Sequence, residues 1–178
     1  LAVVRALSEM ATGKVPDVTY GLKWPNDILL LRADGSYAKV GGILIESALR
    51  SAAAGGKELA VVIGIGLNCT NAAGLANRVN DQTVGSISEC LGNETSPDAL
   101  LPVVLKGLFA AMADFARQGF AISQEDWNTH NLWQDLPVQV REGDAVLHEG
   151  VCRGVDGTGA LCIETAQGTE RIISGDVR

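Results

Sequence analysis

Zinc chemistry is the first thing this sequence has too little for. It holds two histidines, His130 and His148, and four cysteines, Cys69, Cys90, Cys152 and Cys162. No two cysteines form a CxxC pair, and no histidine lies at ligand spacing from them. A closed zinc site needs four such donors at short spacing, so no structural zinc is expected. The thiols read as reduced core residues of a cytosolic protein. Aromatic residues are only 4% of the chain, the net charge is −7, and the lysines and arginines are scattered. A broad basic face for nucleic acid is therefore not expected within these residues. No apolar run approaches the ~20 residues that would cross a bilayer, so no membrane partner is expected. "LAVVRALSEM" lacks the basic flank and cleavage site of a secretory signal and reads as an amphipathic helix. The chain starts at Leu1 and stops abruptly at Arg178, which reads as a piece of a longer protein.

What the chain does have is apolar content, 47% of 178 residues, enough to bury one ordinary core with a small satellite. Residues 1–12 are expected to be helical, ended by "TGKVPD". "TYGLKWPNDILLLRADGSYAKVGGILIESAL" reads as strand, turn, strand, with strands at Ile28–Leu31 and near Val40–Ser47. "RSAAAGGKE" is a flexible connection and "LAVVIGIGLNC" a buried strand. A long irregular stretch, "NAAGLANRVNDQTVGSI", precedes a short helix at "SISECLG". The clearest helix runs from Pro97, capped by Ser96 and stopped by Gly119, and "SQEDWNTHNLW" forms another short one. From Pro137 onward, turn signals (EGD, DGTG, AQGT) recur every six to ten residues between alternating apolar positions. That texture predicts four or five short antiparallel strands closing a small barrel, with a domain boundary near Asp135.

Three segments stand apart. "KWPND", Lys23 to Asp27, crowds a cation, a ring, a turn-former, an amide and a carboxylate at the mouth of an aliphatic strand. Pro25 holds Trp24 extended, and Asn26 and Asp27 can then bond local amides or a ligand. "KVGGILIES" sets Lys39 beside Gly41 and Gly42. Glycine inside a strand costs roughly 0.5–1 kcal/mol against alanine, so it marks a place where something approaches the backbone. A lysine there suits a phosphate or a developing oxyanion. In "VVIGIGLN", Gly64 and Gly66 alternate, which bares one face of a strand to a flat molecule, and Asn68 ends the row with an amide. A dinucleotide fingerprint would need a third glycine and a following helix, and neither is present.

Together, in this order and spacing, these segments resemble the catalytic core of the biotin protein ligases, the biotin–acetyl-CoA-carboxylase ligases. "GVCRGVDGTGALCIET" through "RIISGDVR" resembles that family's C-terminal SH3-like barrel. The resemblance implies an α+β catalytic domain of the class II synthetase and biotin ligase type, a mixed sheet with helices, over residues 1–135, then a small all-β barrel over 136–178. It implies activation of biotin by ATP and Mg²⁺ to biotinyl-5′-AMP, then transfer to a lysine of biotin carboxyl carrier protein. Lys39 matches the lysine that meets the biotin carboxylate and the adenylate phosphate. Asn26 and Asp27 match the turn facing phosphates and metal, with Asp27 the candidate for Mg²⁺. Lys23 and Trp24 belong to the same motif. Gly42, Gly64 and Gly66 match the surface under biotin or the adenylate, and Asn68 the nucleotide pocket.

The resemblance leaves further expectations. The family's Gly- and Arg-rich loop and its first biotin-contacting strands are absent from these residues, so the isolated piece is expected to be inactive. No aromatic in "RVNDQTVGSI" is placed to stack on adenine. Some members also repress biotin synthesis through an upstream helix-turn-helix, so nucleic acid is a partner only if such a domain exists. "KWPND" and "VVIGIGLN" favour biotin over lipoate. Some relatives pair sheet edges, which leaves a homodimer open, and the expected location is the cytoplasm.

Overall fold

The computed structural model describes residues 1–11, 18–52, 55–70 and 83–178. Helix α1 (Ala2–Met10) buries Val3, Val4, Ala6 and Leu7, the one-sided spacing expected of an amphipathic helix. Four antiparallel strands follow in the order β1-β2-β3-β4: Val18–Lys23, Asp27–Arg32, Tyr37–Ser51 and Lys57–Leu67. The pentapeptide closes the β1–β2 hairpin, with Lys23 and Asp27 as register partners. Strand β1 is an addition to the sequence reading, which began the strands at Ile28. Its glycine is needed: a Cβ on Gly21 would lie 2.5 Å from the His130 carbonyl oxygen. The segment around His130 lies against β1 there, with Leu22 N–H donating to His130 O at 2.8 Å.

Strands β3 and β4 also outrun expectation. Beyond Gly42, β3 pairs with β4 alone, down to Ser51 opposite Lys57. This two-stranded ribbon leaves Leu44, Ile45, Leu49, Leu59, Val61 and Val62 between 49% and 69% exposed, on both faces. The connection read as flexible is shorter than supposed, with Gly55 and Gly56 in the left-handed region. The irregular stretch lies largely outside the described residues; within its described end, from Thr83 on, Val84 bridges Lys39 in parallel.

Helix α2 (Ile87–Leu91) has a full capping box between Ser86 and Glu89. Helix α3 (Pro97–Gln118) is capped by Ser96 with Pro97 at its first position and ends at Gly119, as the sequence reads. It packs on α1 so closely that a Cβ on Gly107 would lie 3.0 Å from the Ala2 carbonyl oxygen. The sequence reading found no membrane-length apolar stretch, but α3, with 22 residues, is one by length and composition. A search for uninterrupted apolar runs misses it because Lys106 and Asp114 break the run without lowering the average much. Only Leu100 and Val104 of α3 are buried, while Leu101, Phe109 and Phe115 are exposed.

A 3₁₀ turn (Phe120–Ser123) and helix α4 (Gln124–Thr129) lead to a five-stranded antiparallel sheet in the order β8-β7-β6-β5-β9. Its strands are β5 (Pro137–Glu142), β6 (Ala145–Val155), β7 (Leu161–Thr165), β8 (Gly168–Ile172) and β9 (Asp176–Val177). Val140, Cys152, Ile163 and Val177 fill its core, continuous with the cluster around Leu7, Ile28 and Leu30. The fold class is the one the sequence implies, helices on a sheet followed by an all-β unit. Among the described residues the first sheet is antiparallel throughout, with parallel contacts only as the isolated bridges Leu22–Asn131 and Lys39–Val84.

Candidate active site

Two clefts meet at one ion pair. Lys39 Nζ lies 2.6 Å from Asp27 Oδ1, and both residues line both clefts. The first cleft, ≈ 410 Å³, is floored by Gly42, Gly64 and Gly66 and edged by Asn26, Ile43 and Ile65. The second, ≈ 440 Å³, adds Lys23, Tyr37, Trp133 and Asp176.

The floor follows from strand register. Gly42 pairs with Gly66 and Leu44 with Gly64, so the three glycines share one face. A Cβ on Gly64 or Gly66 would meet nothing nearer than 3.7 Å or 3.9 Å. The missing side chains therefore leave space, not relief from a clash. Gly41 differs, because a Cβ there would lie 2.7 Å from the Gly66 carbonyl oxygen.

Lys39 reaches this face through a bulge. Simple alternation would set residues 39 and 42 on opposite faces. The β2–β3 register runs Asp27–Gly42, Ile28–Gly41, then Leu29–Lys39, so Val40 is the extra residue. The bulge turns Lys39 to the side of Gly42 and Asp27, and a Cβ on Gly42 would sit 3.5 Å from Lys39 Cε. The Lys39 side chain keeps 35% of its exposure against 12% for Asp27, so the amine still faces the clefts.

The other expected residues divide. Asn26 Nδ2 donates to Ile43 O at 2.8 Å, which ties the turn to β3 at the cleft rim. Asn68 lines neither cleft: its amide donates to Lys39 O and Gly85 O, both at 3.2 Å. It pins the backbone that carries Lys39. Trp24 is buried, with its indole N–H donating to Gly159 O at 3.1 Å, and Lys23 donates to Asp176 Oδ1 at 2.8 Å. Burial acts to raise the Asp176 carboxyl, but the bonds from Lys23 and Arg178 outweigh it and hold the group below the ordinary carboxylate range. Sequence reading missed Tyr37 and Trp133, whose rings stack with centroids 4.6 Å apart beside the second cleft. The signal available was scarcity: in a chain with so few aromatics, each ring is a candidate. Among the described residues no cluster of three acidic, histidine or cysteine side chains forms a metal cage. Asp27 is a single carboxylate, which suits Mg²⁺ only where substrate phosphates supply most of the other ligands.

Two family models match. Residues 1–68 fit the biotin/lipoate A/B protein ligase family, and residues 137–178 fit the biotin protein ligase C terminal domain. A biotin--[acetyl-CoA-carboxylase] ligase of Paracoccus denitrificans is 30% identical over 164 residues, 91% of this chain and 64% of that protein. Both models and this relative thus point to the biotin protein ligases. The bifunctional ligase/repressor BirA of Bacillus subtilis is another relative, 25% identical over 99% of this chain and 50% of its own length. The chain thus spans between half and two thirds of these biotin protein ligase relatives. Among solved structures, the biotin protein ligase from Aquifex aeolicus in complex with biotin and ATP matches with a TM-score of 0.69 at 22% identity. That match covers 99% of this chain and 66% of the other.

Proposed function

We propose that the protein is an ATP-dependent biotin ligase of the cytoplasm. It joins the biotin carboxylate to the α-phosphate of ATP, releasing pyrophosphate, and passes the acyl group from biotinyl-5′-AMP to a lysine of biotin carboxyl carrier protein, forming an amide and releasing AMP. The observation that carries this reading is the Lys39–Asp27 pair at the head of a glycine floor. Both reactants are anions, so the first step needs a cation placed before they arrive. Lys39 is held there by the bulge and by Asn68, and its amine can move from Asp27 to an incoming oxyanion. The bare face of Gly42, Gly64 and Gly66 takes the fused ring system of biotin, and Asn26 and Asp27 face the phosphates. Asp27 would hold Mg²⁺ together with those phosphates, and the ion would supply charge neutralisation. The work divides between a catalytic unit over residues 1–135 and a C-terminal unit over 136–178.

The relatives' names and the biotin- and ATP-bound structure support this reading. The name of the Bacillus relative raises a second role, repression. The −7 charge offers DNA no broad surface within these residues, so ligation is the activity proposed. The test is biotin-dependent exchange of labelled pyrophosphate into ATP, followed by labelling of a carrier protein. Exchange that proceeds equally without biotin would overturn the proposal.

A further inference from the structure

The backbone of Lys39 is held from behind by a segment that none of the four strands supplies. Strand β4 ends beside the bulge, with Asn68 N–H donating to Val40 O at 2.8 Å. The chain comes back alongside β3 at Thr83 and takes the place that β4 has left. Lys39 N–H donates to Thr83 O at 2.8 Å, and Gly85 N–H donates to Lys39 O at 2.9 Å. The approach is close. A Cβ on Gly85 would lie 2.7 Å from Leu30 Cδ2 and 3.1 Å from both Ala38 Cβ and Val40 Cγ1. A side chain there would push the segment off the bulge. The Asn68 amide sits at the seam between the two pieces. It reaches Lys39 O and Gly85 O, both at 3.2 Å. Both partners are carbonyl oxygens, so the atom that faces them is the donor nitrogen with its two hydrogens. Asn68 O in turn accepts from Ile87 N–H at 2.7 Å, at the start of α2. That helix is itself anchored to β2, where Arg32 donates to Glu89 at 2.8 Å.

We propose that Asn68 is a positioning residue for the reaction: it closes the seam between the end of β4 and the segment from Thr83 to Gly85, and so fixes the bulge that turns Lys39 toward the clefts. The inference rests on the ligase reading, in which the Lys39 amine meets the oxyanion. It takes Asn68 out of contact with the nucleotide and makes it act through Lys39. A bulge is a local break in pairing, and its extra residue, Val40, has no partner on β2. Without a second hold the strand can slip by one position, and alternation would then carry Lys39 to the opposite face. Asn68 supplies that hold twice, from its side chain to Lys39 and from its backbone to Val40. The glycine floor keeps its own β3–β4 register from Gly41 onward. Loss of the amide therefore misplaces the cation and leaves the surface on which biotin lies.

The variant N68D gives the test, because it keeps the shape and an acceptor oxygen but loses both donors. Its carboxylate would face two carbonyl oxygens, which opens the seam. In the full chain, N68D is expected to lower kcat for biotin-dependent pyrophosphate exchange at least tenfold, with the KM values for biotin and ATP within twofold of wild type. N68S, uncharged and with one shorter donor, is expected to fall between the two, and it carries the same test if N68D does not fold. The double variant K39A/N68D is expected to be no slower than K39A, because Asn68 acts through Lys39. A rise of more than twofold in the KM for ATP would place the amide on the nucleotide and overturn the proposal. A lower Tm with kcat unmoved would show a merely structural contact and overturn it as well, as would losses that multiply in the double variant. If the wild-type protein shows no exchange at all, the ligase reading fails, and the positioning is read from Lys39 itself. Its amine lies 2.6 Å from Asp27, and N68D is expected to speed its acetylation by acetic anhydride at least threefold. An unchanged rate would overturn the positioning too.

Discussion

The two sheets are both antiparallel and both built from hairpins, yet they are finished in opposite ways. Apart from Asp176, which accepts from Lys23, the C-terminal sheet pairs its charged residues close to home. Arg171 pairs with Asp156, Arg153 bridges Asp135 and Glu164, and His148 meets Glu170. Val140, Cys152 and Ile163 are fully buried, and among its large apolar strand residues only Val146 and Leu147 of β6 are exposed. The first sheet leaves its surface unfinished. Three glycines bare its face, a lysine and an aspartate share one contact over two clefts, and six large aliphatic residues of the β3–β4 ribbon face water. Exposed ion pairs contribute little each, so the contrast is not one of charge. The second sheet is packed for stability, whereas the first withholds side chains where a ligand is to lie, at roughly 0.5–1 kcal/mol for each glycine.

The contrast breaks most sharply under Gly66→Val or Gly64→Val. A Cβ at either position stands in the first cleft at ordinary contact distance from its neighbours, so biotin titration is expected to show no heat while circular dichroism stays near normal. Unaltered biotin affinity would place the ligand elsewhere. The mirror experiment is Ile163→Ala in the C-terminal sheet. It is expected to cost ~2–5 kcal/mol of stability, read as a lower denaturant midpoint, with substrate KM values preserved while the protein stays folded. Lys39→Ala should lower adenylate formation more than tenfold, at least ~1.4 kcal/mol of barrier, with Tm little changed. Pyrophosphate release at the wild-type rate would remove Lys39 from the site.

A smaller effect separates the sheets by pH. The Thr158 hydroxyl and the Arg171 guanidinium hold the Asp156 carboxyl well below its ordinary value. A depressed folded-state pKa stabilises above the unfolded value and stops doing so as pH falls through the folded one. Asp156→Asn is therefore expected to lower Tm slightly at neutral pH, with the gap from wild type closing below the ordinary carboxylate range. A gap that persists in strong acid would contradict the ionic origin. The smallest change in stability belongs to the ribbon. Leu49 and Leu59 are register partners and both exposed, so Leu49→Lys should shift stability by less than ~0.5 kcal/mol while reducing light scattering on concentration.

Local signals made most of this architecture legible. Ser96, Pro97 and Gly119 mark both ends of α3 because capping is decided within a few residues. Glycine alternation located the floor because a strand's period is fixed. The turn signals after Pro137 pointed to four or five antiparallel strands, and five are present, though β6 is long. What escaped depends on distant partners. Strand β1 was not read from the sequence: Gly21 weakens a strand in isolation, and the reason for that glycine is His130, far along the chain. The bulge at Val40 is a property of pairing with β2, so alternation alone could not show that Lys39 joins Gly42. Asn68 read as a ligand group because its parity fits the floor, while its amide is satisfied by Lys39 and Gly85 carbonyls. The bonds from Lys23 and Trp24 to the C-terminal sheet span 153 and 135 residues, beyond any pattern read along the chain.

Gly41 and Gly42 stand side by side in the sequence, yet they answer to different pressures. At Gly41 any side chain would strike the Gly66 backbone, so the fold itself forbids replacement. At Gly42, Gly64 and Gly66 the fold has room for alanine and forbids nothing. In a lineage relieved of its chemistry, mutation would fill these three positions while leaving Gly41 and Gly21 in place. The pattern of glycines lost and kept would then date the loss of function, much as silent changes date the divergence of two genes.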